Sequence, residues 1–177
     1  KHKLAMMEKH KTQDLFNTRS FVMDSAKFIS PPWRLFFWSK LVYFGDKKEI
    51  KRLLKDGIRV VISGDVSRLP LHCQETIKNT LELSKNNTRT VLNICLNYGG
   101  KQEIVRAAQQ LASEVKEGKI NVEDISLDSF ENHLYTKGLP NVDLLIRTSG
   151  EMRTSNYLPW QLAYAEFVFT PVKWPDF

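Results

Sequence analysis

Two arginines and a pair of hydroxyl residues near the end of the chain carry the clearest chemistry. Arg147 directly follows an apolar run, and Arg153, Thr154 and Ser155 come a few residues later. Two guanidinium groups present paired N–H donors that match the oxygen atoms of a phosphate, which a single lysine does not do. The Ser155 hydroxyl and the backbone N–H groups at the start of a following helix would add further donors. The pattern predicts a site for a diphosphate.

Acidic residues around the arginines leave two interpretations open. Glu151 and Asp143 could pair with the arginines as structural salt bridges, which is the alternative to a ligand site. Glu166 lies in an otherwise apolar segment, between Ala165 and Phe167, where an unpaired carboxylate would be costly to bury. Either an arginine or a metal ion would have to compensate it. Because Mg²⁺ favours a carboxylate together with waters and diphosphate oxygens, we predict Glu166 as a Mg²⁺ ligand.

Apolar runs alternate with amphipathic segments from Asp46 onward, and this alternation predicts the fold. The predicted strands are Ile58–Ser63, Thr90–Leu96, Val142–Ile146 and Phe167–Thr170. The predicted helices run from Asp46 to Gly57, from near Pro70 to Asn86, from Lys101 to Lys116, from about Ser126 to Tyr135 and around Trp160–Tyr164. Strands that alternate with helices imply βαβ units. We therefore predict an α/β fold with a mostly parallel sheet flanked by helices.

The predicted sheet has an edge at which a ligand is expected. In open parallel sheets, ligands bind beyond the carboxyl ends of the strands. Three segments follow predicted strands and fall at that edge, namely Gly64–Asp65, Asn97–Gly100 and Arg147–Gly150. Of these, the segment that begins with Arg147 carries the most charge and the most donors.

Length and composition favour one domain and an anionic partner. The chain has 177 residues, of which 42% are hydrophobic. This is enough for one hydrophobic core and little for two, so we predict a single domain over residues 1–177. Lys and Arg number 26 against 20 Asp and Glu, which leaves a net charge of +6. A positive balance favours phosphate, nucleic acid or an acidic membrane face, and charge alone does not choose among them.

Cysteine usage and the absence of a long apolar stretch predict a cytoplasmic protein. The two cysteines, Cys73 and Cys95, are not part of a C-x-x-C motif and are expected to be reduced packing residues. No stretch approaches the roughly 18 apolar residues that a membrane-spanning helix needs. The N-terminus also lacks the apolar core of a secretory signal. Any membrane contact is therefore expected to be peripheral.

Aromatic residues are concentrated before the regular part of the chain. Trp33–Phe44 contains six of them at mixed spacing, and Pro31-Pro32 precedes the segment. One interpretation is a hydrophobic helix packed on the sheet. The other is a wall of an apolar substrate cavity, or a surface that touches a membrane.

Several long motifs resemble one enzyme family. The stretch Asp143–Glu166, which includes Arg147-Thr148-Ser149-Gly150-Glu151-Met152-Arg153 and Trp160-Gln161-Leu162-Ala163-Tyr164-Ala165-Glu166, resembles the cis-prenyltransferases of the undecaprenyl diphosphate synthase type. Leu96–Gly100, Gly64–Pro70 and Trp174–Phe177 are similar to further segments of that family. The resemblance covers residues 41–177.

The resemblance implies a reaction and a set of site residues. Arg147, Arg153 and Ser155, with the adjacent Thr154, would bind the diphosphate of isopentenyl diphosphate, and Glu166 would bind Mg²⁺. The family adds isopentenyl units in cis geometry to an allylic diphosphate such as farnesyl diphosphate. The product is a long-chain polyprenyl diphosphate, a lipid carrier for cell-wall or glycan synthesis, held in an apolar tunnel between the sheet and its helices. A homodimer is implied as well.

The N-terminal part and the end of the chain depart from the family pattern. In the family, the first strand runs into a loop of the form Asp-Gly-Asn-Gly-Arg that binds the allylic diphosphate. Here His2–Met7 resembles that strand, but Glu8-Lys9-His10 follows it. A second family segment, Phe-Ser-Thr-Glu-Asn-Trp, is matched by Phe28 and Trp33 alone, and no basic tail follows Phe177.

Three functional hypotheses remain at this point. The first is an active prenyltransferase of this family. The second is a non-catalytic family subunit, or an isopentenyl-diphosphate-binding chain without the allylic site. The third is a basic α/β domain that binds phosphate or nucleic acid. Because Lys and Arg are scattered and no RNA-binding aromatic motif accompanies them, we expect no nucleic-acid partner.

Overall fold

The computed structural model describes the backbone of residues 21–24, together with residues 47–173 and residue 176. Its strands are β1 (Phe21–Asp24), β2 (Ile58–Ser63), β3 (Thr90–Cys95), β4 (Leu144–Arg147) and β5 (Glu166–Phe169). Its α-helices are α1 (Lys47–Lys55), α2 (Leu71–Ser84), α3 (Gly100–Lys116) and α4 (Leu127–Glu131). The chain divides into two compact units, one up to Asn97 and one from Tyr98 onward.

The first unit contains a parallel sheet with the strand order β1-β3-β2. Strand β3 is central and pairs in parallel with both neighbours, so that Asp24 and Ser63 both lie level with Cys95 at the carboxyl edge. Val60 and Ile94 pack with Ile77 of α2 in the hydrophobic core of this unit. The β-branched residues of the two strands suit a buried parallel sheet, which explains why both were predicted from sequence.

Buried polar side chains lie among the apolar residues of this unit. The Ser63 hydroxyl donates to Asn93 Oδ1 at 2.9 Å, and Ser84 Oγ accepts from the backbone N–H of Val60 at 3.0 Å. Ser63, Ser84 and Asn93 are all fully buried. Each of these contacts joins a strand to a neighbouring element, so the hydrogen bonds add directional constraints to an apolar core.

Gly64 joins β2 to the following turn, and its replacement is expected to be strongly destabilising. The φ angle of Gly64 is 131°, and a Cβ atom there would lie 1.9 Å from the carbonyl oxygen of Leu96. Gly64→Ala should lower the free energy of unfolding by at least ~2 kcal/mol, because both the backbone angle and the close approach oppose a side chain. Gly118→Ala is the matched control, since Gly118 also has a positive φ, 71°, but faces open space.

Urea denaturation of the two glycine variants checks this expectation. Gly118→Ala should cost only about 1 kcal/mol, which is the price of a left-handed residue without a clash. Equal losses in the two variants would contradict the steric explanation.

The second unit contains helices α3 and α4 and the parallel pair β4-β5. Tyr98 packs edge-on against Tyr135 and Tyr157, with 6.3 Å between ring centroids in both pairs. Phe130 lies 4.6 Å from Trp160, again between ring centroids. Aromatic packing of this kind contributes beyond the area buried. It holds the segment before β5 against the helices.

The α/β fold with parallel strand pairing is confirmed. Strand β2 has the predicted bounds, and β3, β4 and β5 lie within two residues of theirs. Helices α2 and α3 are confirmed, and α4 is shorter than the predicted Ser126–Tyr135. The prediction of a single domain over residues 1–177 stays a prediction. No helix within the described ranges is long and apolar enough to cross a membrane.

The predicted helix around Trp160–Tyr164 is wrong. The segment forms successive turns, in which Leu162 N–H donates to Leu158 O at 2.9 Å and Ala163 N–H to Trp160 O at 3.3 Å. Leu158 has a φ angle of 44°. Because such a left-handed residue interrupts right-handed helical geometry, the short apolar pattern does not extend into a helix.

Some expectations fall outside the described residues. They concern the start of the first predicted helix at Asp46, the aromatic segment Trp33–Phe44, the strand at His2–Met7 and the match of Phe28 with Trp33.

Candidate diphosphate-binding site

The β4-β5 pair positions Arg147 at its carboxyl end. Arg147 lies level with Phe169, and its carbonyl accepts from Thr170 N–H at 3.0 Å. The next loop is held by two further backbone bonds, from Gly150 to Thr170 at 2.9 Å and from Ser149 to Val172 at 2.9 Å. Arg147 therefore starts a tethered loop at the sheet edge where ligands are expected.

The structure brings Arg147, Arg153 and Ser155 together. The Arg147 side chain is 16% exposed, and its Nη1 donates to the Arg153 carbonyl and lies 3.3 Å from Ser155 Oγ. Its Nη2 lies 3.8 Å from the Glu151 carboxylate, which also pairs with the Arg153 guanidinium. The two guanidinium groups thus converge on one carboxylate oxygen. This arrangement shows that they can share a single anionic group.

The sequence-based alternative, ion pairing with Glu151, is therefore also present. Arg153 and Glu151 are 60% and 37% exposed, so water screens this pair and its net contribution to stability is small. A diphosphate carries more charge and more acceptor atoms than one carboxylate. We therefore expect a diphosphate to replace Glu151 as the anionic partner of the two arginines.

Thr154 and the glycines before α3 also belong to this region. The Thr154 carbonyl accepts from Tyr157 N–H at 3.0 Å and closes a turn. Gly100 N–H donates to the carbonyl of Asn156 at 2.9 Å, so the predicted edge segment Asn97–Gly100 reaches the same loop through its last residue. These turns replace the helix that was expected to start after Ser155. The helix N-terminus that lies near the site is that of α3.

Glu166 does not share the location of the arginines. The premise that Glu166 is buried is wrong, since its side chain is exposed and needs no compensating charge. It lies level with Leu144, at the amino end of β5, whereas Arg147 lies at the carboxyl end of β4. Three residues of strand separate the two levels by roughly 10 Å. The assignment of Glu166 as a Mg²⁺ ligand stays a prediction.

Among the described residues, no group of three or more His, Cys, Asp and Glu side chains could hold a metal ion. Asp65, at a predicted ligand-binding edge, instead caps a short 3₁₀ helix, Val66–Arg68, by accepting from Ser67 N–H at 3.0 Å. The hydrogen bond from the Ser67 hydroxyl holds the pKa of Asp65 below its usual value. The role of Asp65 here is structural.

Asp24 is a candidate site residue that the sequence reasoning missed. Strand β1 ends at Asp24, which pairs in register with Cys95 of β3 at the carboxyl edge of the three-stranded sheet. The family resemblance predicts the first strand at His2–Met7 instead. In the sequence, the apolar run Phe21–Met23 directly precedes this acidic residue. A short apolar run that ends at a polar residue is typical of a buried strand, so this pattern could have predicted β1.

Glu103 is a second residue that was missed. It is completely buried and accepts hydrogen bonds from the Tyr98 hydroxyl at 2.6 Å and the Tyr135 N–H at 2.7 Å. Gln161 Nε2 donates to it at 3.2 Å. Val105, an apolar residue of the same helix, is by contrast 56% exposed. The burial of Glu103 could have been predicted from its spacing with Ala107 and Leu111. Residues four apart lie on the same face of a helix, so Glu103 shares the face of these two buried apolar residues.

A histidine in the same unit makes its stability depend on pH. His133 Nε2 lies 3.0 Å from Glu114 Oε1, and its Nδ1 lies 2.7 Å from the carbonyl of Ser129. The hydrogen bond with Glu114 is the main cause that raises the pKa of His133. The stabilisation is therefore fully present below the unfolded pKa of about 6.5 and is lost as pH rises through the higher folded value.

Glu114→Gln should remove most of this pH dependence. At pH 6 the variant should unfold more easily than the unmodified chain by about 0.5–1 kcal/mol, and the difference should shrink by pH 9. Urea denaturation at the two pH values measures it. Glu117→Gln, which removes the exposed partner of Lys119, is the control and should show no change across this range. A constant Glu114→Gln effect would contradict the assignment.

The fold and the site define a class of protein: an α/β protein with parallel strands, in which two arginines and a serine converge at a sheet edge. The family model described as "Putative undecaprenyl diphosphate synthase" matches residues 37–177. The chain belongs to this family of prenyltransferases.

Individual relatives agree with this assignment. The chain is 49% identical to an isoprenyl transferase of Clostridium perfringens, over 78% of this chain and 54% of the relative. It is 51% identical to a (2E,6E)-farnesyl-diphosphate specific ditrans,polycis-undecaprenyl-diphosphate synthase of Haemophilus influenzae, over 73% of this chain and 54% of the relative. The chain thus spans about half the length of these curated relatives.

A solved structure is similar as well. It is a lavandulyl diphosphate synthase from Lavandula x intermedia in complex with dimethylallyl diphosphate, with a TM-score of 0.74 and 36% identity. The match covers 85% of this chain and 65% of that protein. The similarity in three dimensions accords with the family assignment from sequence.

Proposed function

We propose that this chain binds isopentenyl diphosphate and condenses it with an allylic diphosphate of the farnesyl type. The observation that carries the proposal is the convergence of Arg147, Arg153 and Ser155 at the carboxyl end of β4. Family membership supports the same substrates, because the named relatives are synthases of prenyl diphosphates. A long-chain cis-polyprenyl diphosphate, used as a lipid carrier, is the proposed product.

The side chains present would act mainly by binding and orientation. Arg147 and Arg153 would hold the diphosphate of isopentenyl diphosphate through charge-assisted hydrogen bonds, with Ser155 as a neutral partner. The double bond of this substrate would attack the allylic carbon while the C–O bond to the leaving diphosphate breaks. A proton then leaves the new chain to restore a double bond. Fixing both reactants in this geometry lowers the entropic part of the barrier.

The allylic substrate is proposed to bind at the carboxyl edge of the first unit. Asp24 lies at this edge, at the end of the first described strand. The prenyl chain is proposed to follow the apolar surface between the sheet and α2, where a small cleft is lined by Val60, Ile62, Ile77, Leu81, Ile94 and two threonines.

Mg²⁺, with Glu166 as a ligand, stays a proposal from the family resemblance. When bound, Mg²⁺ would neutralise charge on a diphosphate. Asp24, whose backbone lies at the carboxyl edge of the three-stranded sheet, is a second carboxylate to test. A cytoplasmic homodimer with peripheral membrane contact is also proposed. The partial exposure of Phe167 and Val172, 37% and 40%, supports an apolar contact surface near the end of the chain.

Incorporation of radiolabelled isopentenyl diphosphate tests the proposal. The purified chain is incubated with farnesyl diphosphate and Mg²⁺, and extracted prenyl products are counted. Product formation supports the enzyme. Binding of isopentenyl diphosphate without product supports the non-catalytic subunit, which is the second candidate. A chain that binds single-stranded RNA and no isopentenyl diphosphate would overturn both.

A further inference from the structure

Asn156 joins the arginine-bearing loop to the start of helix α3 through three hydrogen bonds. Its Oδ1 accepts from the N–H of Lys101 at 2.8 Å, and its Nδ2 donates to Gln102 Oε1 at 3.0 Å. Its backbone carbonyl accepts from the N–H of Gly100 at 2.9 Å. One residue therefore fixes the loop to a helix of 17 residues.

The loop beside Asn156 needs such support. Ser155, Asn156 and Leu158 have φ angles of 52°, 64° and 44°. Residues other than glycine adopt this left-handed region at a cost and keep it only when surrounding contacts hold them there. Asparagine tolerates it best, since its short polar side chain can bond locally. The bonds of Asn156 to α3 supply the required contacts.

Two glycines allow the helix start to touch the loop directly. A Cβ atom on Gly99 would lie 2.4 Å from Gln102 Oε1 and 3.1 Å from Asn156 Nδ2. A Cβ atom on Gly100 would lie 2.0 Å from Pro159 Cδ. At Gly100, therefore, no side chain fits between the helix start and the loop. Short, direct contacts with the start of α3 therefore fix the position of the loop.

Two residues just before Asn156 in the chain, Arg153 and Ser155, contact Arg147. Ser155 Oγ lies 3.3 Å from Arg147 Nη1, and the Arg153 carbonyl accepts from the same nitrogen. A shift of Ser155 would therefore change the direction of the Arg147 guanidinium. We propose that Asn156 is a positioning residue that orients Arg147 for the diphosphate of isopentenyl diphosphate. This inference rests on the proposed function and assigns Asn156 no contact with the substrate.

Asn156→Ala should weaken isopentenyl diphosphate binding about tenfold, measured by titration calorimetry on the full chain, because two side-chain hydrogen bonds are lost. KM should rise with little change in kcat. If Asn156 acts through Arg147, the same substitution should have almost no further effect in an Arg147→Ala background. A general structural role would instead reduce affinity by equal factors in both backgrounds.

Asn132→Ala is the matched control, because the Asn132 amide donates to the Asp128 carbonyl of its own helix. It should bind like the unmodified chain. Gln102→Ala removes one partner of Asn156 without changing the loop, and it should cost about threefold even if Asn156→Ala fails to fold. Unchanged binding in Gln102→Ala and in a folded Asn156→Ala overturns the inference. If the unmodified chain binds no isopentenyl diphosphate, the proposed function itself has failed.

Discussion

Replacing Arg147 with alanine is expected to weaken isopentenyl diphosphate binding by about a hundredfold. Its side chain is only 16% exposed, and the guanidinium lies among the Arg153 carbonyl, Ser155 and Glu151. Charge-assisted hydrogen bonds in such partly buried surroundings contribute about 1.5–3 kcal/mol each, and about 2.7 kcal/mol corresponds to a hundredfold change in affinity. Titration calorimetry with isopentenyl diphosphate, on chains shown to be folded, measures the loss.

Other arginine variants separate geometry from charge. Arg147→Lys keeps the positive charge but loses the planar fork, so an intermediate loss is expected. Arg153→Ala should cost less, about three- to tenfold, because its side chain is 60% exposed and screened by water. Arg68→Ala removes the same charge from an 83% exposed side chain and should leave the affinity unchanged. Equal losses for Arg147→Ala and Arg68→Ala would show that net charge, not the site, governs binding.

Glu103→Ala is expected to be the most destabilising single change in the second unit. Its buried carboxylate accepts hydrogen bonds from the Tyr98 hydroxyl, the Tyr135 N–H and the Gln161 amide. Alanine would leave three donors without this acceptor and would open a cavity in a completely buried position. Removing one member of a buried polar network costs about 3–5 kcal/mol. The free energy of unfolding in urea should fall by that amount.

Glu103→Gln tests whether charge or shape matters more. Glutamine keeps the volume and one acceptor oxygen, so a smaller loss of about 1–3 kcal/mol is expected. Glu117→Gln, at an exposed position, should change the free energy of unfolding by less than about 0.5 kcal/mol. Because Gln161 also donates to Thr136 at 2.8 Å, the damage should spread toward the segment before β5. A Glu103→Ala chain as stable as Glu117→Gln would contradict this account of the network.

Elements that depend on local interactions were predicted closely from the sequence, whereas those that depend on contacts between distant residues were not. Strand β2 and helix α2 were predicted closely, because their apolar residues and the glycine and proline residues around them act locally. The turns that replace the expected helix near Trp160 depend on left-handed residues such as Leu158. The loop that contains these residues is held to α3 by Asn156, which bonds residues more than fifty positions earlier in the chain. Local pattern carries no information about such contacts.

The sequence by itself determined the side-chain chemistry of the candidate diphosphate site and the parallel α/β organisation. Arginine pairs, hydroxyl groups and alternating apolar runs have intrinsic properties that need no partner to be recognised. Tertiary structure alone decided that Arg147, Arg153 and Ser155 converge, and that Glu166 is exposed at the other end of the strand pair. It also decided that Asp24 ends the first described strand. The physical reason is that strand register and loop contacts, not residue type, determine which side chains meet.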